Sequence, residues 1–526
     1  MSILQYLVLP LVLSQLLLWL LSTIIPSRVQ HSPSYELKRI IFDSDLPATY
    51  ARPYQRLGGI AKAASQPDTT AVILNWSRFP NILLISSLLC SSVLDDVISE
   101  VFIWNNNPKP ISYEDFKETG CPKHKLRIHN SPENIYFQAR FIACAQANTS
   151  LCFIQDDDYL IRSEVIQALH KRITETEHVH TIHLLPPHEH LSSTLKEIHV
   201  RNPTIDGGID IHTSFTWLGH GTMLHRSEAE DFLSLMHYLD ATPDEMKMAD
   251  NYYTILSNRV PEFWFDQGIE LGGGQPFTVG PEGNERNVKY ILSATRYLDK
   301  LVAQESQYTR KSPLPMRASC QGVPCVFETN IRALPVNANH NATSAEDIFI
   351  IEKQNYQLLI ENGGPDNYLQ HPPSYAVDNN RATFFHSLYG SKRGDYFMID
   401  MLESIAFSKP TRVSSIEIAF LVNGPTERIL RSSVFMSSQD GDTWDRWQGS
   451  IQCYDIHSED SNAGHDRLVI ASVILRECSV LFVDYRSHDD VRLEDGIYNG
   501  ARFFRVELQE DVESRWSIYE VWLRER

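Results

Sequence analysis

Three consecutive carboxylates, Asp156, Asp157 and Asp158, stand in "FIQDDDYL" directly behind an apolar run. Carboxylates this close repel, and each ionises more readily alone. Either water screens them or a cation does. Side chains of an extended segment alternate with period two, which puts Asp156 and Asp158 on one side. Hard oxygen donors in that arrangement suit Mg2+ or Mn2+, and either ion can also hold a diphosphate. The simpler alternative is a solvated turn or an N-cap for a helix over "YLIRSEVIQALHKRI", because aspartate caps are common.

Position favours the ion. "TAVILNW" is a short β-branched run of the kind that forms a buried parallel strand, "NILLISSLLCSSV" follows with helical spacing, and "ISEVFIWNNN" is a second strand ending in a polar cluster. After "HKLRIHN", "NIYFQARFIACAQA" reads as an amphipathic helix and "LCFIQDDDYL" as another strand. Strand alternating with helix predicts an α/β domain over 69–310. In such sheets ligands bind beyond the carboxyl ends of the strands. "NWSRF", "WNNN" and the aspartate triplet all fall there.

Residues 311–345, with Pro313, Pro315, Pro324 and Pro335, read as an interdomain connection. From 346 to 526 the texture changes to short β-rich runs such as "DYFMIDM", "RVSSIEIAFLV" and "RFFRVEL", separated by turn chemistry like "QDGDTW". That spacing predicts an all-β sandwich. A chain of 526 residues fits about two to four domains.

The formal charge of −19 repels phosphate backbones and argues against a nucleic-acid partner. An anionic nucleotide can still bind if a divalent cation lies between. Residues 1–25 contain no Lys, Arg, Asp or Glu, and the run is long enough to span a hydrocarbon layer of about 30 Å, so it is expected to be a membrane anchor. Residues 26–68 then form a stem. Arg28, Lys38 and Arg39 follow the apolar run, which by flanking charge favours a cytoplasmic C-terminus. Sequons and cysteines point instead to the lumen. Glycosylation acceptors occur at Asn75, Asn148 and Asn341, of which Asn341, in the polar stretch "PVNANHNATSAED", is favoured, whereas Asn75 closes a strand expected to be buried. Eight cysteines are present, and "CQGVPC" suits a small disulfide loop between Cys320 and Cys325. Cys144 and Cys152, in apolar surroundings, are expected as buried thiols.

The series "AVILNWSRFPNILLISSLL", "EVFIWNNN", "NIYFQARF", "LCFIQDDDYLI", "FTWLGHGTMLHR" and "MADNYYTILSNRV" resembles, in order and approximate spacing, the GT-A glycosyltransferase domain of the exostosin family. The resemblance covers residues 70 to about 305. It implies a Mn2+-assisted (or Mg2+-assisted) transfer of a sugar from a nucleotide diphosphate sugar, of UDP type, to a glycan or glycoprotein acceptor with retention of configuration. Carried over by position, Arg78 and Asn105 contact base and ribose, Arg140 and Arg286 hold the nucleotide, and Asp156 and Asp157 serve ribose and ion. Asp158 is the direct metal ligand, with Asp156 beside it. Asp250 in "MADNYY" is the catalytic carboxylate near sugar and acceptor. A Golgi or endoplasmic reticulum membrane protein of type II, with its catalytic domain in the lumen, is the expected setting.

The chain departs from the family pattern in two places. Ala249 precedes Asp250 where an acidic pair is usual, and "LGHGTMLH" places His220 and His225 where small and apolar residues are usual. The C-terminal pieces "YAVDNNRATFFHS", "VFMSSQDGDTW" and "IYEVWL" resemble a coagulation factor 5/8 type C (discoidin-like, galactose-binding-like) module, without its usual terminal cysteine pair. Two other functions remain open at this point: a non-catalytic lectin-like protein, and an inverting GT-A transferase with Asp250 as general base.

Overall fold

The computed structural model describes residues 66–176, 179–202, 209–273, 280–302, 315–334, 342–405, 415–447, 449–456, 469–470, 473–483 and 501–525. The expected anchor, all but the end of the stem, and Asn341 lie outside them. Among the described residues no helix is long and apolar enough to cross a membrane.

The first half runs β1 (Thr69–Asn75), α1 (Phe79–Leu89), β2 (Ile98–Asn105), β3 (Leu126–Asn130), α2 (Gln138–Ala145), β4 (Leu151–Gln155), β5 (Tyr159–Leu160), α3 (Ser163–Glu175), β6 (Thr181–Leu185) and α4 (Pro187–Leu195). A hairpin of β7 (Ile198–Asn202) and β8 (Ile209–Thr213) precedes β9 (Thr222–His225), α5 (Arg226–Tyr238), α6 (Pro243–Lys247), α7 (Asp250–Leu256), β10 (Glu262–Phe265), β11 (Ile269–Glu270) and α8 (Pro281–Val302). Strands β3, β2, β1 and β4 are parallel neighbours; β9 is antiparallel to both β4 and β6, and β10 is parallel to β6. The result is a mixed sheet with a parallel core.

Period-two alternation puts side chains of β1 on both faces, and both faces are covered. Ala71 and Ile73 pack in one apolar layer with Ile82 and Ile85 of α1 and Leu169 of α3, while Val72 packs in the other with Phe141 of α2 and Tyr252 of α7. A strand buried on both sides must be apolar throughout, as "AVIL" is. Pro80 in the first turn of α1 sits where its missing N–H would have had no partner in the helix.

The stretch expected as a connection contains two strands, β12 (Met316–Ser319) and β13 (Val326–Thr329). Strand β12 adds in parallel to β10, β13 turns back on β12, and β13 pairs with β15 (Tyr396–Ile405), so one sheet of 13 strands runs through both halves. Cys320 and Cys325 are bonded across the β12–β13 turn. After α9 (Ile348–Glu361), α10 (Asp366–Gln370) and β14 (Phe385–His386) come β15, β16 (Ser415–Asn423), α11 (Gly424–Arg431), β17 (Ser433–Ser438), β18 (Asp445–Arg446), β19 (Gln452–Asp455), β20 (Val469–Ile470), β21 (Val473–Val483), β22 (Ala501–Leu508) and β23 (Ser517–Glu525). Strands β15, β22, β17 and β18 finish the long sheet. A second antiparallel sheet, β14-β23-β16-β21-β19, faces it across Phe397, Phe420, Phe482, Phe504 and Trp516.

All eight cysteines are paired: Cys90–Cys121, Cys144–Cys152, Cys320–Cys325 and Cys453–Cys478. The expectation of free thiols at Cys144 and Cys152 is therefore corrected. The end of α2 returns onto β4 through a tight turn, and this brings their Cα atoms to 5.8 Å, a normal disulfide distance.

Candidate functional site

At the carboxyl edge of the parallel strands, Asn75, Asn105 and Asn130 stand in register at the ends of β1, β2 and β3. Asn75 Nδ2 donates to Asn105 Oδ1 at 2.7 Å, and Asn105 Nδ2 donates to Asn130 Oδ1 at 2.7 Å and to the Lys109 carbonyl at 2.9 Å. Buried amides call for partners, and this ladder gives one to the Nδ2 of Asn75 and of Asn105 while fixing the strand ends, though Asn75 Oδ1 has none among the described residues. Asn105 is thus fully buried and engaged. It shapes the loop that follows, whose Asn107 holds the Trp76 carbonyl. Trp76 is 49% exposed at the same edge, an aromatic face on which a planar base can stack. Asn105 was expected at this edge, whereas Trp76, Asn130 and the register that joins the three asparagines were not; the spacing of "ILNW", "IWNN" and "RIHN" was the available signal.

Arg78, at the entry to α1, donates from Nη1 to Asp157 Oδ1 at 2.7 Å and lies 3.6 Å from Asp158 Oδ2. Its backbone N–H also faces Asp157 Oδ2, and Asn81 Nδ2 donates to the Asp157 carbonyl at 2.8 Å. Arg140, buried on α2, reaches two carboxylates at once: Nη2 bonds Asp156 and Nη1 bonds Asp250, the first residue of α7. A helix after β1, a helix before β4, the turn after β4 and a helix after β9 therefore converge on one set of ion pairs. Arg286 stands half-buried on α8, the helix packed along α7.

Burial and crowding leave their mark on protonation. Asp158 is pushed up to about 6, first by burial and then by Asp156, with Arg78 opposing. Burial pushes Asp250 up to about 7 although Arg140 pulls it down. Asp250 is 1% exposed, and its Oδ1 has no hydrogen-bond partner among the described residues.

The turn Gly219-His220-Gly221 backs the triplet. The Gly219 carbonyl accepts from Asp156 N at 2.8 Å, and a Cβ at Gly219 would lie 2.3 Å from Asp156 Oδ2, so only glycine leaves room for that carboxylate. His220 is held between Glu189 (3.2 Å) and Asp266 (3.4 Å), with Tyr159 edge-on to its ring. Burial would lower its pKa, but the two carboxylates outweigh that and push it up to about 10. His225 is elsewhere: it lies opposite Leu151, at the far end of β4 from Asp156. Glu189 and Asp266 were not legible as site residues, since neither belongs to a motif by spacing, and Gly219 lies in the quoted "LGHGTMLH" without a role that the sequence could assign.

The residues fit a divalent cation. Asp158, with 31% of its side chain exposed, and Asp156 offer carboxylate oxygens on one turn, crowded enough that the Asp156 charge adds to burial in raising Asp158.

No family model matches the chain, and no curated protein does. Among solved structures, a fragment of S. aureus TarS is 14% identical, with 45% of this chain and 70% of that one covered at a TM-score of 0.28. Glucosyl-3-phosphoglycerate synthase from Mycobacterium tuberculosis, solved with Mn2+, uridine diphosphate and glucosyl-3-phosphoglycerate, is 10% identical over 51% of this chain and 90% of that one, with a TM-score of 0.29. A CBM32 module of a family 31 glycoside hydrolase from Clostridium perfringens is 21% identical over 29% of this chain and 82% of that one, with a TM-score of 0.16. With TM-scores this low the likenesses carry no argument, and the functional reading rests on the site's own geometry.

Proposed function

We propose that the chain is a divalent-metal-dependent glycosyltransferase that moves a sugar from a nucleotide diphosphate sugar, of uridine type, to a glycan acceptor. One observation carries this reading: Arg140 joins the aspartate triplet to Asp250 at the carboxyl edge of a parallel sheet, where α/β proteins bind nucleotides. Asp158 and Asp156 would hold Mn2+ or Mg2+, which when bound neutralises the diphosphate and stabilises it as a leaving group. Arg78 faces the same turn and adds positive charge beside the developing oxyanion. Trp76 supplies a stacking face for the base. Arg140 fixes Asp250 relative to the metal-holding turn, so that the distance from donor sugar to carboxylate is set by a buried guanidinium.

Retention of configuration, with Asp250 stabilising an oxocarbenium-like centre, is the primary reading. A general base works best with a pKa near the working pH, and the Asp250 value of about 7 favours inversion as a second reading. A type II setting with this domain in the lumen, and a glycan-binding role for the sandwich, complete the proposal. The test is incubation of the full chain with a panel of nucleotide sugars and Mn2+, with Asp158→Ala alongside. Transfer by the wild type alone supports the reading, and absence of sugar transfer or release from every donor overturns it. The anomeric configuration of the product decides between retention and inversion.

A further inference from the structure

We propose that Asn148 carries an N-linked oligosaccharide and that Asn75 does not, an assignment that rests on the lumenal setting proposed above. Both lie in acceptor triplets, "NTS" and "NWS". The atom that would bear the sugar is Nδ2 in each case. At Asn75 that atom is the donor to Asn105 Oδ1 at 2.7 Å, and the residue is 3% exposed. A sugar there would break the asparagine ladder and fill the carboxyl edge of the sheet, where the donor must enter. Asn148 is exposed in the turn between α2 and β4.

The backbone around Asn148 is fixed from several sides, so the exposure is built in. Cys144 and Cys152 close the turn covalently. Thr149 Oγ1 lies 2.7 Å from Thr70 Oγ1 and 2.9 Å from the Leu151 carbonyl. Arg226 donates from Nη1 to the Ala147 carbonyl at 3.1 Å and from its backbone to the Ser150 carbonyl at 2.8 Å. Strand β4 then runs away from this turn, and its five residues separate Asn148 from the aspartate triplet by roughly 17 Å. A glycan at Asn148 stands at the amino edge of the sheet, clear of the donor. Complete pairing of the cysteines fits the oxidising compartment in which such transfer occurs.

In the transfer, Asn148 Nδ2 attacks C1 of the first sugar of a lipid-pyrophosphate-linked oligosaccharide. The N–C bond forms as the C1–O bond to pyrophosphate breaks, Nδ2 releases one proton, and the lipid pyrophosphate leaves. No electrons are exchanged with an outside carrier.

The full chain is expressed in a eukaryotic secretory cell, treated with peptide N-glycosidase in heavy-oxygen water, and its peptides read by mass. Conversion of Asn148 to labelled aspartate with Asn75 unlabelled is expected, as is loss of one glycan in both Asn148→Gln and Ser150→Ala. Having two variants separates a missing acceptor from a misfolded chain. An unmodified Asn148 in a chain protected from external protease, or a labelled Asn75, overturns the assignment and leaves the transferase reading standing. An unprotected chain with no glycan overturns both this assignment and the lumenal setting, and sugar transfer by purified protein remains a separate measurement.

Discussion

Two buried carboxylates, Glu262 on strand β10 and Asp250 at the start of helix α7, have opposite fates. Glu262, on β10, receives Arg172 at 3.1 and 3.0 Å, Trp264 Nε1 at 2.8 Å and Arg317 at 3.3 Å, while Arg317 is shared with Glu328 at 2.7 Å. Burial would raise its pKa, but Arg317 and Arg172 hold it down to about 2. Asp250 has Arg140 alone, shares it with Asp156, and is driven up to about 7. The difference is satisfaction. A carboxylate with all its partners supplied by the chain keeps its charge, whereas one left partly open is pushed toward its neutral form, as groups at functional sites often are. Arg317 lies on β12, so the strand that joins the two halves also completes the structural cluster.

The comparison breaks first at Asp158. Asp158→Ala is expected to lower sugar transfer on the order of 10²–10³-fold, as loss of a charge-stabilising group does, while the thermal midpoint stays within a few degrees. Unfolding scans and transfer assays on one preparation check both halves of the statement. Glu262→Gln is the converse. It leaves the buried Arg317 with less compensation and takes a partner from the half-buried Arg172, at a cost of about 3–5 kcal/mol, with uridine diphosphate and Mn2+ affinity unchanged by calorimetry. If Glu262→Gln lost nucleotide affinity at unchanged stability, the division into structural and functional clusters would fall.

Protonation sharpens the contrast because the two groups have opposite signs. Glu262 is depressed from 4.5 to about 2, so its stabilisation is present above pH 4.5 and lost as pH falls through 2. Asp250 is raised from 3.8 to about 7, so the folded state is favoured below 3.8 and loses that advantage as pH rises through 7. Removing the charge in Asp250→Asn is therefore expected to stabilise the protein more at pH 8 than at pH 5, by about 2 kcal/mol, with transfer abolished at both. Denaturant unfolding at the two pH values reads this directly, and an equal effect at both would show Asp250 to be ionised throughout.

How much of this was legible in the sequence follows from where the information sits. The strand–helix alternation, the aspartate triplet, Arg78, Arg140 and Asp250 could be named because each lies in a local pattern or a family motif. Strands β12 and β13 were hidden, since a proline-rich stretch with a short disulfide-closed turn reads locally as a linker, and only pairing with β10 and β15 makes it sheet. The ladder of Asn75, Asn105 and Asn130 is a property of register between strands. Glu189 and Asp266 matter only because the first turn of α4 and the end of β10, distant in sequence, meet at His220. Asn105 shows the limit of carrying a motif across: its position at the strand end is as expected, but its amide is buried in the ladder and not turned to the solvent.

The smallest expected effect separates two histidines five positions apart. His220 precedes strand β9 and His225 ends it, and both stand where the family pattern has small and apolar residues. Strand β9 runs antiparallel to β4, so its start meets the carboxyl edge with the triplet and its end meets the amino edge, where His225 pairs with Leu151. Two carboxylates hold His220; none of the ion pairs at the site reaches His225. His225→Ala is accordingly expected to change stability by no more than about 0.5 kcal/mol and to leave Mn2+ and nucleotide affinity as they are, whereas His220→Gln removes the cation between Glu189 and Asp266 and lowers stability below the His220 pKa of about 10. A metal-affinity loss at His225 would mean that the antiparallel register of β9, and with it the placement of Gly219 behind Asp156, is wrong.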